Sequence, residues 1–240
     1  MIKRIAAVVL SGAMSGSLLF TGSASATRSD APTLTTVRAP NHILIDDRPV
    51  TVTSTFISDG VDVTLSIHPE FETTEKPSKV FHHGRKWTFQ TTYLPTDTLG
   101  RWLVSVEATG ADNAKTKSSF FLFLQHRTRI VDFAARPRLI VAGHSTTISG
   151  RLQIRLHHRW VDLAGKNIFI VQDARDGTPP INLPLTTDEH GGFSRVSMLD
   201  KTTGFQAVFS DNFDDRVNAT ALSKTIVVKV IKHHPGDHRH

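Results

Sequence analysis

Three histidine pairs, His82-His83, His157-His158 and His233-His234, carry the side chains of this sequence best suited to chemistry, because neutral imidazole is a common metal ligand. Adjacent strand residues face opposite sides, so such a pair aims both rings at one ion only from a turn. Both internal pairs fall where hairpin turns are expected, and a closed structural site takes about four ligands. Each internal pair therefore reads first as a solvated turn. The tail from Lys232 to His240 holds four histidines and Asp237, a composition that binds metal in His-rich tracts. His233, His234, His238 and His240 are thus the candidate metal ligands, with copper(II) or nickel(II) favoured over zinc. The site is expected to be weak, because Lys232 and Arg239 repel cations and fixing free chain costs about 1–2 kcal/mol per residue.

Other constellations fall short of a reaction. His68-Pro69-Glu70 matches half of a zinc deaminase signature but lacks the Pro-Cys-x-x-Cys that completes it. Ser145 follows His144 outside any Gly-x-Ser-x-Gly elbow, and no phosphate-cradling glycine loop or His-Glu-x-x-His segment is present. Asp211-Asn212-Phe213-Asp214-Asp215 offers oxygen ligands without the spacing of a calcium-binding loop. Asp46-Asp47 is a loop pair with no partner legible in the sequence. Trp160 stands beside a turn, where its indole either covers a sandwich edge or stacks on a sugar ring. The sequence has no cysteine, which removes thiol nucleophiles, thiolate metal sites and disulfides together. Neither a catalytic residue nor a cofactor is expected.

The elements that hold these residues are short strands. Between Thr146 and Ile170, Leu152, Ile154 and Leu156 alternate with Gln153, Arg155 and His157, the pattern of a sheet with one buried and one wet face. After His157-His158-Arg159 the apolar character resumes at Trp160 and Val161. The same grammar gives strands over 43–45, 50–57, 61–67, 80–81, 87–94, 102–108 and 118–124, then over 130–133, 139–141, 146–156, 160–163, 168–172, 193–198, 205–209 and 221–230. Turn-forming residues separate them. No window reads as a long amphipathic helix. Pro179-Pro180 with Gly177 predicts an irregular crossover between sheets.

Two series of strands imply two units. Gly84-Arg85-Lys86-Trp87 followed by Gly100-Arg101-Trp102 resembles Gly191-Gly192-Phe193 followed by Gly204-Phe205 at a shift of 106 residues from Trp87 to Phe193, an internal repeat of domain length. At the start, Lys3 and Arg4 precede an apolar segment to Phe20, and Ala24-Ser25-Ala26 has the spacing a signal peptidase reads. Cleavage is expected after Ala26. The apolar segment is broken by Ser and Gly and falls short of the roughly 20 apolar residues of a membrane span. The 28 Lys and Arg, less Lys3 and Arg4, against 22 Asp and Glu leave the cleaved chain at +4. That dispersed excess lacks the aromatic-interleaved basic runs of a nucleic-acid footprint, but leaves room for an anionic cell-wall polymer.

Phe133-x-Ala135-x-Pro137, Ala142-Gly143, Thr147-Ile148-Ser149-Gly150-Arg151-Leu152, Trp160-Val161-Asp162-Leu163-Ala164-Gly165 and Thr186-Thr187-Asp188 before Gly192-Phe193 resemble the immunoglobulin-like domains of secreted actinobacterial proteins. The resemblance covers residues 128–230 well and 37–125 loosely. It implies an all-β chain of two tandem immunoglobulin-like antiparallel β-sandwich domains after a signal peptide, and such domains serve as spacers, adhesion modules or accessory modules. The expected organisation is a signal peptide at 1–26, a flexible leader or edge strand at 27–39, one sandwich at 40–125, a polar joint from Gln125 to Arg129, a second sandwich at 128–231 and a disordered tail at 232–240. The expected function is a secreted, non-catalytic binding, adhesion or spacer module whose partner is an extracellular protein or cell-wall polymer. A small secreted hydrolase or an enzyme inhibitor on the same scaffold is the alternative. Nucleic acid and a membrane span in the mature chain are not expected.

Overall fold

The computed structural model describes residues 31–210 and 216–232. The signal segment with Ala26, the acidic stretch 211–215 and His233, His234, His238 and His240 lie outside those residues.

Eight strands make the first half: β1 (Leu34–Arg38), β2 (His42–Ile45), β3 (Val50–Ser58), β4 (Asp62–Pro69), β5 (Ser78–His83), β6 (Lys86–Tyr93), β7 (Gly100–Thr109) and β8 (Lys115–His126). They form two sheets, ordered β1-β3-β6-β5 and β2-β8-β7-β4. Strict alternation drives the layers together. Trp102, Val104, Val106 and Ala108 of β7 are buried while the residues between them are only partly so. The inner faces meet in two clusters, one around Tyr93, Trp102 and Leu124, the other around Phe56, Trp87 and Phe89.

Ten strands make the second half: β9 (Thr128–Arg136), β10 (Leu139–Val141), β11 (His144–Leu156), β12 (Arg159–Asp162), β13 (Asn167–Asp173), β14 (Ile181–Thr186), β15 (Gly192–Leu199), β16 (Thr203–Phe209), β17 (Ala221–Leu222) and β18 (Ile226–Ile231). One sheet is β12-β11-β15 with β9 on the other edge of β11; its partner is β10-β18-β16-β13-β14 with β17 on β16. A single cluster containing Ile148, Leu152, Ile168, Phe205 and Val228 fills the space between.

In each half the leading strand is split between the sheets. β1 and β9 pair with the antiparallel neighbours β3 and β11, whereas β2 and β10 run parallel to β8 and β18. Pro40 and Pro137 stand at the two crossings, where a residue without an N–H leaves no ladder bond unmade. The wholly antiparallel expectation is corrected here: a first strand that changes sheets must lie alongside the last strand and run in the same direction. Two face-packed sheets joined this way give the all-β, immunoglobulin-like sandwich that the sequence led us to expect.

The internal repeat has a structural counterpart. Trp87 on β6 lies opposite Phe56 of β3, and Phe193 on β15 lies opposite Gly150 of β11. Gly150 is required there, since a Cβ would sit 2.5 Å from the Phe193 ring.

Three boundaries differ from the sequence reading. In the segment 27–39 the edge-strand alternative holds and the flexible leader does not over its later part, Leu34–Arg38 being β1 on the edge of β3. The polar joint shrinks to Arg127, because β8 extends through the buried Gln125 to His126 and β9 starts at Thr128. Residues 177–180 lead into a regular strand, β14, whose Pro184 is tolerated because β14 lies at the sheet edge and a missing N–H there breaks no inner ladder.

Candidate functional site

Two of the constellations singled out for chemistry, His157-His158 and Asp46-Asp47, converge where the two halves meet. His157 and His158 form the tip of the β11–β12 hairpin with φ of 46° and 63°, the left-handed pair of a type I′ turn. This tip reaches back to the loop after β2. The His158 amide donates to Asp47 Oδ2, His158 Nδ1 lies 2.9 Å from the same oxygen and His157 Nδ1 lies 3.9 Å from Oδ1. Asp46, beside it, has Oδ2 at 3.0 Å from Arg127 Nε and 3.7 Å from Arg155 Nε. The acidic pair without a legible partner thus takes its partners from residues 81 to 111 positions away. An open cavity of about 440 Å³ lies among Asp46, Asp47, Arg127, Arg155 and His158.

A second set of bonds ties the halves elsewhere. Gln125, 3% exposed, donates from Nε2 to the carbonyls of Arg216 and Asn218 at 3.2 and 3.1 Å, and its Oε1 lies 2.9 Å from His42 Nδ1. The His126 amide donates to the Val217 carbonyl at 2.8 Å, and the Ala219 amide donates to the His126 carbonyl at 2.9 Å. Thr128 Oγ1 donates to the Ala219 carbonyl. Residues 216–219, between β16 and β17, thereby form a short strand-like clasp beside the last residues of β8. Burying an amide side chain with its polar atoms bonded avoids a penalty of about 1–3 kcal/mol per unmet group.

The remaining candidates are separated. His82 stacks on Trp87 with ring centroids 3.8 Å apart, while its neighbour His83 points to the opposite face of the sheet. His68 bonds the Pro69 carbonyl, and Glu70 is held by Arg101, so this segment is a braced strand end. Ser145 and His144 are consecutive on β11 and face opposite sides. At Trp160 the Arg129 guanidinium lies 4.1 Å from the ring centroid and that of Arg155 5.7 Å, so arginine occupies indole surface where a sugar would stack. Among the described residues, no group of three or more His, Asp or Glu is placed to hold a metal ion.

Among the described residues the least exposed ion pair, Lys76 with Asp97 at 2.6 Å, sits at 12 and 14% side-chain exposure beside the Tyr93 and Trp102 rings. Burial, and then the Asp97 carboxylate, push the Tyr93 hydroxyl well above its ordinary value. That group cannot serve as a base near neutrality. Sequence reasoning missed Lys76 and Asp97 and read Gln125 only as part of a polar joint, because their partners lie 21 to 93 residues away.

No family model and no curated protein matches the sequence. Among solved structures, the chain is similar to dimeric latent PorU from Porphyromonas gingivalis at 10% identity and TM-score 0.33, over 87% of this chain and 21% of that one. The D0–D1 domain of intimin is similar at 12% identity and TM-score 0.29, over 82% of this chain and 97% of that one. The adhesin InvE of Yersinia pseudotuberculosis is similar at 13% and 0.28, over 82% and 58%. This chain spans about a fifth of the PorU length. The immunoglobulin-like assignment rests on the strand order described above, not on these similarities.

Proposed function

We propose that the chain is an exported, non-catalytic module whose two sandwiches act as one stiff unit, carrying a binding surface or setting a distance outside the cell. The observation behind this reading is the double clasp at the junction. A one-residue link alone would act as a hinge, but Asp46 and Asp47 hold the β11–β12 tip while residues 216–219 hold the end of β8. Inter-domain motion is the default where interfaces are small, so two bonded contacts flanking a link are the feature of a spacer or presenting arm. The basic start and Ala24-Ser25-Ala26 support export with Thr27 as the first mature residue, and the actinobacterial-type motifs around Thr147–Leu152 agree with it.

Small-angle scattering with NMR alignment measurements tests the unit. Both halves of the intact chain are expected to share one alignment tensor, and Asp47→Ala combined with Gln125→Ala is expected to separate them. Two independent tensors in the unaltered protein would overturn the reading.

A further inference from the structure

The outer face of the β1-β3-β6-β5 sheet differs in charge from its partner sheet. None of its four strands contains Asp or Glu. Register places Arg38, Lys79, His83 and Lys86 on one face, with Phe81 among them at 51% exposure. Arg38, Lys79 and Lys86 have no carboxylate at ion-pairing distance among the described residues. On the opposite sheet Lys115 is paired with Glu107, and Arg101 with Glu70.

We propose that this face binds an acidic glycan chain, a polymer that combines repeated anions with hydroxyl groups; the proposal gives the binding surface of the module described above its partner. Strand spacing of about 4.8 Å and a rise of about 3.4 Å per residue put Lys79, Lys86 and Arg38 roughly 12–16 Å apart at their Cα positions. Cations so spread do not converge on one small anion, but they do lie along an extended polyanion. The same face presents hydroxyls, among them Thr51 and Thr92, two residues beyond the level of Lys79 and with Oγ1 atoms 2.8 Å apart, which both donate and accept as sugar hydroxyls do. Nucleic acid is the lesser fit, since stacking platforms for successive bases need several aromatics and this face exposes Phe81 alone. Carboxylate and phosphodiester polymers share the chemistry recognised, and the probes separate them.

The full purified chain is titrated with polygalacturonate, with poly(glycerol phosphate), with neutral dextran and with single-stranded DNA. Binding to one or both of the first two is expected, weakening steeply with salt, and whichever binds more tightly identifies the anion. The triple variant Arg38→Gln, Lys79→Gln, Lys86→Gln is expected to lose about tenfold or more in affinity at low salt, and to lose roughly one unit of salt slope per cation removed. Lys117→Gln on the opposite sheet is expected to bind as the unaltered chain does. Melting curves of the triple variant should be unchanged, because these side chains are exposed. Equal binding by the triple variant, equal binding of dextran, tighter binding of DNA, or binding of none of the four would overturn the proposal. The last result would leave the stiff two-sandwich reading intact, since that rests on the alignment measurement.

Discussion

The two halves follow one plan and differ in what closes their edges and fills their centres. In the first, β5 extends the β1-β3-β6 sheet, and the core divides into two clusters braced by Trp87, Trp102 and Tyr93. In the second, β15 has no strand beyond it among the described residues, β14 extends the other sheet instead, and one cluster fills the interior. The first half therefore relies on Trp and Tyr rings and a largely shielded ion pair, the second on one continuous cluster of aliphatic side chains and phenylalanines around Phe205. What the difference teaches is that a shared strand order leaves edge and core free to vary, so specialised surface appears at the varied elements, β5 and the β11–β12 tip.

The sharpest break in that comparison comes from the single core. Phe205 is fully buried at the centre of the second cluster. Phe205→Ala is expected to cost about 3–5 kcal/mol, the range for emptying a buried aromatic site. Urea unfolding followed by tryptophan fluorescence checks it. Trp160 should report the loss while Trp87 and Trp102 hold their native signal to higher urea. A single transition displaced equally for all three would mean that the clasp couples the halves into one cooperative unit.

Much of this was legible beforehand wherever strands alternate. The strands around Trp87, Trp102, Leu152 and Phe205 follow from period-two burial, and the Trp87 to Phe193 repeat marks equivalent positions in two sheets. The junction was not legible. Gln125 looked like linker because its partners, the carbonyls of Arg216 and Asn218, lie 91 and 93 residues away. Strand β14 was hidden because Pro179, Pro180 and Pro184 argue against a strand unless its place at an edge is known. Of the histidine pairs, the turn at His157-His158 was read correctly from spacing, but its docking on Asp47 depends on where the first half ends.

An intermediate effect separates the half braced by a shielded ion pair from the other. Lys76→Met leaves Asp97 in a shielded position without its cation, beside the Tyr93 and Trp102 rings. Removing one member of a buried pair costs about 3–5 kcal/mol, and residual exposure at both ends should hold the loss near the low end or slightly under it. The double change Lys76→Met with Asp97→Leu should recover much of it, since an apolar pair carries no stranded charge. Thermal melting of the two variants checks this, and a double variant as unstable as the single one would show that the bracing depends on the charges themselves.

The smallest expected effect concerns acid. In the second half Asp176 accepts from Lys201 Nζ at 2.8 Å and from the amide and hydroxyl of Thr178 at 3.0 and 2.6 Å. The Lys201 hydrogen bond, then those of Thr178, hold its carboxyl well below the usual carboxylate range. A carboxyl that is more acidic folded than unfolded favours the folded state wherever it is ionised in both, above its unfolded value of about 3.9. That contribution is lost as pH falls from about 4 toward the folded value. Asp59 and Glu107 of the first half are also lowered, by bonding to Thr33 and Lys115 respectively, so acid weakens both halves and Asp176 adds an increment to the second. Because Asp176 is solvent-exposed, the increment is read as a difference between curves: the melting temperature of the unaltered chain should exceed that of Asp176→Asn at pH 6, with the gap closing toward pH 2. Parallel curves over that range would show that Lys201 and Thr178 do not hold the carboxylate in solution.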